Sequence, residues 1–255
     1  MKVNHLKPFD DLFKLSYKSE VDGHEDWALL EPGSNGLWTI NLHGHGSQAD
    51  QLYRRDDIKN LWLPKFRKNG TGILCPNLRG NAWMCPKAVS DLHELIGYLR
   101  LKYKLERILL FSGSMGATGC LIYSIIHPED IDGVVALGGA SDITTYYQWC
   151  LKHKHDNPII QEISEAIKTA YGSDTKQNPG LFQKHSALTN FHKLSMPVFL
   201  CHGESDEIIP VSQSRALAEK LSGKSNFYYR EIPLGDHDSP LSQIDSFDWI
   251  ISQLA

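Results

Sequence analysis

The chain has 255 residues, of which 41% are hydrophobic and 22% charged, and its formal net charge is −4. This composition is that of a globular protein and excludes the disordered and collagen-like classes. A domain of this size buries roughly three-quarters of its unfolded surface, so it needs no disulfide or metal staple. The acidic balance and the scattered Lys and Arg residues argue against a nucleic-acid or membrane partner.

The five cysteines are an odd number without the spacing of a zinc site. Three of them, Cys75, Cys120 and Cys201, lie in apolar runs and are predicted to be small buried hydrophobic residues, which suits a reducing compartment. The first residues contain no signal-like apolar core, and no later run approaches the roughly eighteen apolar residues of a membrane span. We therefore expect a cytoplasmic location.

Short apolar runs alternate with amphipathic stretches along the chain. The predicted strands cover 13–18, 27–31, 38–42, 72–75, 108–111, 133–137, 198–201 and 227–232. The predicted helices cover 88–103, 117–126, 211–221 and 241–254, with a mixed-polarity stretch over 50–66. The first two strands are expected to form an antiparallel pair that turns at Asp22-Gly23. The later strands predict a mostly parallel sheet with helices on both faces.

The segment from about Asp142 to Ser195 interrupts this rhythm. It contains helix-like pieces rich in Tyr, Trp and Lys and shows no clear strand pattern. Insertions of this kind in an α/β chain are usually caps or binding elements. We therefore predict a small helical cap inserted into a single α/β domain over residues 1–255.

The run Ser112-Gly113-Ser114-Met115-Gly116 lies between a predicted strand and a predicted helix. A serine at such a turn is held in a strained elbow that exposes its hydroxyl, and small residues two before and two after it let the backbone pack closely. The first small position is Ser112 rather than the usual glycine. We predict that Ser114 is a nucleophile. The alternative is a glycine-rich turn with an incidental serine.

Two further residues follow later strands. Asp206 lies in the loop after the strand over 198–201, and His237 follows the strand over 227–232. The carboxyl ends of parallel strands share the edge at which sites of open α/β sheets lie. The order Ser, Asp, His predicts Asp206 as the acid and His237 as the base of a catalytic triad. When each residue is considered alone, other roles are possible. Asp206 could be a helix N-cap, and His237 could be a solvated loop residue.

Other acidic residues lie close to these positions. Glu204 precedes Asp206 by two residues, and Asp236 and Asp238 flank His237. We expect Glu204 to be turned away. The two aspartates point elsewhere if the imidazole faces the serine, so Asp206 is the predicted acid.

The run His43-Gly44-His45-Gly46 directly follows the third predicted strand. An acyl-transfer enzyme needs two N–H donors for the oxyanion of its tetrahedral intermediate. We assign them to the backbone amides of His45 and Met115, with the glycines giving the loop its freedom. His43 and His45 as a metal pair are the alternative, but no matching third ligand is apparent.

Five motifs together resemble the α/β-hydrolase superfamily, and the resemblance covers roughly Leu37 to the C-terminus. They are His43-Gly44-His45-Gly46, Asn77-Leu78-Arg79-Gly80, Ser112-x-Ser114-x-Gly116, His202-Gly203-x-x-Asp206-x-x-Ile209-Pro210 and Asp236-His237. They are most similar to the prolyl-oligopeptidase-like branch, which includes small carboxylesterases, acetyl-xylan esterases and feruloyl esterases. The resemblance implies the α/β-hydrolase fold. Asn77 replaces the usual aspartate, so an ion pair associated with Arg79-Gly80 is expected to be absent.

These observations predict a serine hydrolase that cleaves small-molecule carboxylic esters through an acyl-enzyme, with no cofactor or metal. The residues before the run at His43 are too few for a propeller, so we expect none, and this expectation favours an esterase. A peptidase or amidase of the prolyl-oligopeptidase-like type is the alternative, and a non-catalytic binding protein of this fold is a third. The aromatic residues Trp83, Tyr146, Tyr147 and Trp149 are candidates for substrate binding. Packing of the cap onto the sheet is the alternative role for them.

Overall fold

The computed structural model describes residues 2–9 and 12–254, with side chains from Leu12 onward. The strands in these residues are β1 (Lys2–Phe9), β2 (Leu12–Lys18), β3 (Glu25–Glu31), β4 (Leu37–Ile40), β5 (Gly72–Pro76), β6 (Arg107–Gly113), β7 (Gly133–Leu137), β8 (Val198–Gly203) and β9 (Phe227–Ile232). The α-helices are α1 (Gln51–Arg54), α2 (Asp56–Asn69), α3 (Pro86–Lys102), α4 (Met115–Ile126), α5 (Ile143–His153), α6 (Pro158–Tyr171), α7 (Pro179–Lys184), α8 (Ser212–Leu221) and α9 (Asp245–Leu254). Short 3₁₀ helices cover Pro128–Asp130, Phe191–Lys193 and Ser239–Ser242.

The described strands form one sheet in the order β1-β2-β3-β5-β4-β6-β7-β8-β9. The pairs β1-β2, β2-β3 and β3-β5 are antiparallel, and every pair from β5 to β9 in this order is parallel. The predicted mostly parallel sheet and the antiparallel pair before it are confirmed. Because β4 to β9 run in the same direction, the loops that follow them meet at one edge of the sheet.

Helices cover both faces of the sheet. Along β6, Ile108 and Leu110 belong to one hydrophobic cluster, whereas Leu109 and Phe111 belong to the other. Successive side chains of a strand point to opposite faces, so a strand that is apolar throughout needs a helix layer on each side. Trp62 of α2 packs edge to face on Phe111, with ring centroids 4.9 Å apart. The cysteines are buried and free, as predicted for the three in apolar runs.

Residues 142–195, here called the cap segment, form α5, α6, α7 and one 3₁₀ helix, and this segment contains no strand among its described residues. Each α-helix begins at a side-chain cap. Asp142, Asn157 and Asn178 each accept a hydrogen bond from a backbone amide of the first turn. Pro158 and Pro179 occupy the first helical positions, where a missing N–H costs nothing.

Two elements differ from the sequence-based prediction. The strand β1 is not predicted, so the strand before His43 is the fourth and not the third. A terminal edge strand pairs on one side only, and Lys2–Phe9 accordingly shows no continuous apolar run. The last helix begins at Asp245 rather than Leu241, because Ser239–Ser242 turns as a 3₁₀ helix. No helix among residues 2–9 and 12–254 has the length and apolar character needed to cross a membrane.

Candidate active site

Ser114 lies at the turn between β6 and α4. Its backbone has φ 57° and ψ −126°, which a non-glycine residue adopts only under strain. A Cβ atom on Gly116 would lie 2.1 Å from the carbonyl oxygen of Leu42, so residue 116 has to be glycine. The turn therefore has the strained backbone and the close approach that the motif predicts.

Ser112 stands at the motif position that is usually glycine, and it has a structural role. Its side chain is fully buried, and its Oγ accepts a hydrogen bond from the amide of Leu42 at 2.8 Å. Leu42 lies just beyond the end of β4 at Ile40. The hydroxyl thus continues the connection between β4 and β6 after the regular ladder has ended.

The side chains of Ser114, Asp206 and His237 meet at the carboxyl edge of the sheet. His237 Nε2 lies 2.9 Å from Ser114 Oγ, and His237 Nδ1 lies 2.7 Å from Asp206 Oδ2. An ionised carboxylate can only accept hydrogen bonds, so Nδ1 carries the hydrogen in the neutral ring. Nε2 then has the free lone pair that accepts the serine hydroxyl.

Asp206 is buried, and both of its carboxylate oxygens have donors. Oδ1 accepts the amides of Ile208 and Ile209 at 2.8 and 2.9 Å. Oδ2 faces His237 and also His202, whose Nε2 is 3.2 Å away. Burial by itself raises the pKa of Asp206, but the hydrogen bonds from the two histidines outweigh it and hold that pKa well below its ordinary value. The carboxylate is therefore ionised at neutral pH.

The alternative acids make contacts elsewhere. Glu204 accepts the amide of Leu234 at 3.0 Å. Asp236 accepts the hydroxyl of Ser239 at 2.6 Å. Asp238 forms an ion pair with an arginine at 3.0 Å. Their placement agrees with the expectation that they point away from the imidazole.

In the glycine-rich loop after β4, the amides on either side of His45 donate to side chains. The amide of Gly44 donates to Gln51 Oε1 and the amide of Gly46 to Asn81 Oδ1, each at 2.8 Å. The amide of His45, which lies between them, donates to no atom of the described residues. Two side chains thus fix the loop on either side of the predicted donor and leave that donor free.

Met115 carries the second predicted donor. It is the first residue of α4, directly after Ser114. The amides of the first helical turn have no partner within the helix, and the helix dipole places partial positive charge there. The Met115 amide is therefore available to a negative charge that develops beside Ser114.

His43 and His45 direct their ring nitrogens toward protein atoms. Both nitrogens of His43 lie 2.9 Å from backbone carbonyl oxygens. Nδ1 of His45 accepts the indole N–H of Trp83 at 3.2 Å, and its Nε2 lies 3.3 Å from a carboxylate oxygen of Glu162 on α6. Burial lowers the pKa of His45, and Glu162 partly offsets this effect. These contacts leave neither ring open toward a shared metal ion.

A second group of possible metal ligands lies away from Ser114. Within the described part of the chain, ligand atoms of His93, His127 and Asp130 all lie within 4.8 Å of one another. However, Asp130 forms an ion pair with Arg100 at 2.6 Å. The two imidazole rings stack with centroids 4.2 Å apart, so their in-plane lone pairs run parallel and do not converge. This cluster does not fit a metal centre.

The four aromatic candidates for substrate binding pack between the cap segment and the sheet. Trp83, Tyr146 and Tyr147 are buried, and Trp149 is half-buried. The ring of Tyr146 contacts those of Trp83 and Trp149, with centroids 5.4 and 6.1 Å away. None of the four lines the cavity beside Ser114. Their position supports the packing role and gives no support to substrate binding.

A cavity of about 230 Å³ opens beside Ser114 and His237. Its apolar walls are formed by Ile58, Trp62, Ile159, Ile163, Ile208 and Leu241. Arg55 and Asp238 also line the cavity and pair with each other. The cavity is thus concave and mostly apolar, and the two charged side chains that line it compensate each other.

Several lining or supporting residues are missing from the sequence-based prediction. Gln51 and Asn81 hold the loop after β4, but single polar residues outside a motif give no signal of that contact. Ile159 and Ile163 lie one turn apart on α6 and face the cavity. Their spacing shows an apolar helix face, but not which element this face meets.

The expected loss of an ion pair at Arg79 is wrong. Arg79 pairs with Asp91 at 2.6 Å and with Asp22 at 2.9 Å. Asn77 donates to Asp26 at 2.9 Å. The ion pair persists because two other elements supply the carboxylates in place of residue 77.

The sheet, the strained serine turn and the matched solved structures define an α/β-hydrolase. The model of the BD-FAE family matches residues 35–221, which is well over half of the chain. The chain therefore belongs to the BD-FAE family. The predicted superfamily is thereby confirmed.

Curated relatives include both peptidases and esterases by name. The chain is 26% identical to the uncharacterized peptidase YtmA of Bacillus subtilis over 206 residues, which are 74% of this chain and 76% of YtmA. A stretch of 62 residues is 39% identical to the esterase LipQ of Mycobacterium tuberculosis, but it spans only 24% of this chain and 15% of LipQ.

Similar solved structures include an S-formylglutathione hydrolase from Agrobacterium tumefaciens, with a TM-score of 0.69, 14% identity and complete coverage of both chains. Another is the fluorophosphonate-binding serine hydrolase FphF of Staphylococcus aureus, with a TM-score of 0.70 and 15% identity, covering 94% of this chain and 98% of FphF. At these identities the similarity shows a shared fold.

Proposed function

We propose that this protein is a serine hydrolase that cleaves small-molecule carboxylic esters through an acyl-enzyme on Ser114. The observation that carries the proposal is the position of His237, which lies 2.9 Å from Ser114 Oγ and 2.7 Å from Asp206 Oδ2. The ionised Asp206 fixes the tautomer that the base needs. The proposed reaction needs no cofactor.

In the first half of the reaction, Ser114 Oγ attacks the carbonyl carbon of the ester while His237 Nε2 takes the hydroxyl proton. The carbonyl oxygen becomes an oxyanion, which the amides of His45 and Met115 stabilise. Loss of one such donor costs about 3 kcal/mol of transition-state stabilisation. The intermediate then collapses, and His237 gives its proton to the departing alkoxide, which leaves as the alcohol.

In the second half, a water molecule takes the place of the alcohol. His237 removes a proton from this water as its oxygen attacks the acyl carbon of the acyl-enzyme. The second tetrahedral intermediate uses the same two amides. Its collapse breaks the bond to Ser114 Oγ, returns the proton to the serine and releases the carboxylic acid.

The cavity favours esters with apolar groups over substrates that carry a free ammonium group. Asp238 is the acidic residue that lines it, and its carboxylate is already paired with Arg55. Arg55 in turn binds Asp57 at 2.7 Å. An aminopeptidase substrate would therefore find no unpaired carboxylate for its α-ammonium group among the described lining residues.

A peptidase or amidase is the second candidate function. The similarity to YtmA, which is named as a peptidase and matches 74% of this chain, favours it. The same three side chains perform amide hydrolysis when His237 protonates the poorer amine leaving group. The two candidates therefore differ in leaving group and binding groups rather than in nucleophile.

The test compares initial rates on p-nitrophenyl acetate, butyrate and octanoate with the rate on an aminoacyl p-nitroanilide. We expect rapid ester turnover and little anilide cleavage. Comparable turnover of the anilide would favour the peptidase. Because p-nitrophenyl esters are reactive and also hydrolyse without Ser114, each rate is compared with the rates of serine variants.

Ser114→Ala and Ser124→Ala form the matched pair for this test. Ser124 is buried on α4, the helix that begins directly after Ser114, and its hydroxyl has no hydrogen-bond partner among the described residues. We expect Ser114→Ala to abolish turnover and Ser124→Ala to keep it. Ester hydrolysis that survives Ser114→Ala would show that the proposed nucleophile is wrong.

A further inference from the structure

His202 is a fully buried histidine beside Asp206 that the proposed reaction does not use. Its Nε2 lies 3.2 Å from Asp206 Oδ2 and 2.8 Å from the carbonyl oxygen of Ile209. Its Nδ1 lies 2.7 Å from the hydroxyl oxygen of Ser214 on α8. Every polar atom of this ring therefore has a partner.

These partners define the tautomer of His202. The two oxygens at Nε2, one from a backbone carbonyl and one from the ionised Asp206, can only accept hydrogen bonds, so Nε2 carries a hydrogen. Ser214 has a hydroxyl that donates or accepts, and in the neutral ring it donates to Nδ1. A neutral His202 is thus satisfied on both sides. Its single Nε2–H bonds the carbonyl oxygen of Ile209 at 2.8 Å and lies beside Asp206 Oδ2, which is 3.2 Å from the same nitrogen.

The carboxylate oxygen that His202 faces is the same oxygen that accepts from His237. Asp206 Oδ2 lies 2.7 Å from His237 Nδ1 and 3.2 Å from His202 Nε2. The other oxygen is held by the amides of Ile208 and Ile209. His202 is the side chain that shares the charge of Oδ2 with the base of the proposed reaction.

We propose that His202 is a positioning residue that fixes Asp206 Oδ2 for His237 and sets how much of its negative charge the imidazole of His237 receives. This proposal rests on the proposed function. In a buried site a hydrogen bond to a charged group is stronger than one between neutral groups, so its loss affects both geometry and charge. Ser214 supports this arrangement, because its hydrogen bond to Nδ1 fixes the tautomer of His202.

Few other charged groups reach this position. Glu231 on β9 is the strand partner of His202, and it is paired with Arg215 of α8 at 2.6 Å. Tyr146 of the cap segment donates its hydroxyl to the carbonyl oxygen of Ile208 at 3.1 Å. The charge of Glu231 is thus already compensated, and Asp206 is the charged partner that His202 contacts.

The test compares His202→Asn with His202→Gln. The amide nitrogen of Gln reaches about as far as Nε2 and keeps a donor for Asp206, whereas that of Asn reaches about as far as Nδ1 and loses it. We expect His202→Asn to lower kcat by about tenfold with KM unchanged. The acid side of the plot of kcat/KM against pH should move to higher pH in this variant. The reason is that Asp206 Oδ2 then has the imidazolium of His237 as its one histidine partner and stabilises that cation more strongly. His202→Gln should restore most of kcat.

His185→Gln is the matched control, because His185 is also buried but lies in the cap segment beside Tyr171. Titration with a fluorophosphonate counts the competent sites in each preparation, which separates a lower kcat from incomplete folding. Unchanged kcat and an unchanged pH profile in His202→Asn would overturn the proposal. Equal losses in the Asn and Gln variants would also overturn it, since they would indicate a packing role.

Proton NMR tests the same contact independently of the reaction. The downfield resonance of the His237 Nδ1–H reports its hydrogen bond to Asp206. We expect it to move in His202→Asn and to stay in place in His185→Gln. An unmoved resonance would overturn the role of His202 whatever the enzyme's substrate. A moved resonance in a protein without Ser114-dependent turnover would instead refute the proposed function and leave the coupling intact.

Discussion

At the scale of single residues, Asp206 and Glu204 lie in the same loop but have different partners. Asp206 contacts His237 at 2.7 Å, whereas Glu204 accepts a backbone amide. We predict that Asp206→Asn lowers kcat by about 10⁴-fold, because the amide favours the wrong tautomer of His237. Glu204→Gln should leave kcat close to that of the parent protein. Steady-state kinetics on one ester measure both variants, and equal effects would reassign the acid.

The strained backbone of Ser114 leads to a stability prediction. Residue 114 has φ 57° and ψ −126°, which glycine tolerates better than alanine. We expect Ser114→Gly to have an unfolding free energy about 1 kcal/mol above that of Ser114→Ala. At an unstrained position glycine would be the less stable of the two, because it raises the entropy of the unfolded chain. Urea unfolding of the two inactive variants measures the sign.

At the scale of elements, α6 contributes two isoleucines to the same core cluster, and only one of them also lines the cavity. Ile163 lines the cavity beside Ser114, whereas Ile160 does not. We predict that Ile163→Ala shifts the preference among p-nitrophenyl esters toward longer acyl chains, because it enlarges the cavity. Both substitutions should destabilise the fold by about 2–5 kcal/mol, but Ile160→Ala should keep the chain-length preference. The ratio of kcat/KM for octanoate and butyrate in each variant measures the effect.

If the two alanine variants show the same chain-length profile as the parent, the cavity does not hold the acyl group. A shift in Ile160→Ala alone would place the acyl group on the other side of the helix. Urea unfolding of both variants confirms that each is compared in its folded state.

The cap segment also contains a histidine whose titration affects stability. Burial lowers the pKa of His185 to about 4, with a smaller contribution from Lys184. In the unfolded chain a histidine titrates near pH 6.5, so between about 6.5 and 4 the unfolded state binds more protons. The contribution of His185 to stability is therefore present above pH 6.5 and is lost as the pH falls toward 4.

We test this with the unfolding free energies of the parent protein and His185→Gln from pH 7 to pH 4. The advantage of the parent over the variant should shrink by about 2–3 kcal/mol over this range. A constant difference would show that His185 titrates alike in both states. Other titrating groups are common to the two proteins and cancel in the comparison.

At the scale of the whole molecule, the central parallel strands and the flanking helices are predictable because each is a continuous apolar run or a clear helical repeat. The strand β1 is missed, since an edge strand needs no apolar run. The positions of Ser114, Asp206 and His237 after three different strands are readable from sequence because parallel strands share one carboxyl edge. The contacts of Gln51 and Asn81 are not readable from sequence, because their partners lie on other elements and follow no spacing rule.

The cavity shows the same limit. Its walls come from α2, α6 and the loops after β8 and β9, so that no single stretch of sequence describes it. The sequence suggests aromatic residues of the cap segment as substrate contacts, but Tyr146 and Tyr147 are buried among other side chains. Aliphatic residues such as Ile159 and Ile163 line the site instead. Composition alone does not distinguish the lining of a cavity from the packing beneath it.

The most direct test of the proposed function is the covalent intermediate itself. The protein is mixed with p-nitrophenyl acetate, quenched in acid within the first turnovers, digested and examined by mass spectrometry. We predict one acetyl group on the peptide that contains Ser114, together with a burst of p-nitrophenol that matches the number of sites. An acetyl group on another residue, or steady turnover with no acylated peptide in the parent protein or in the slow Asp206→Asn variant, would contradict the proposed nucleophile.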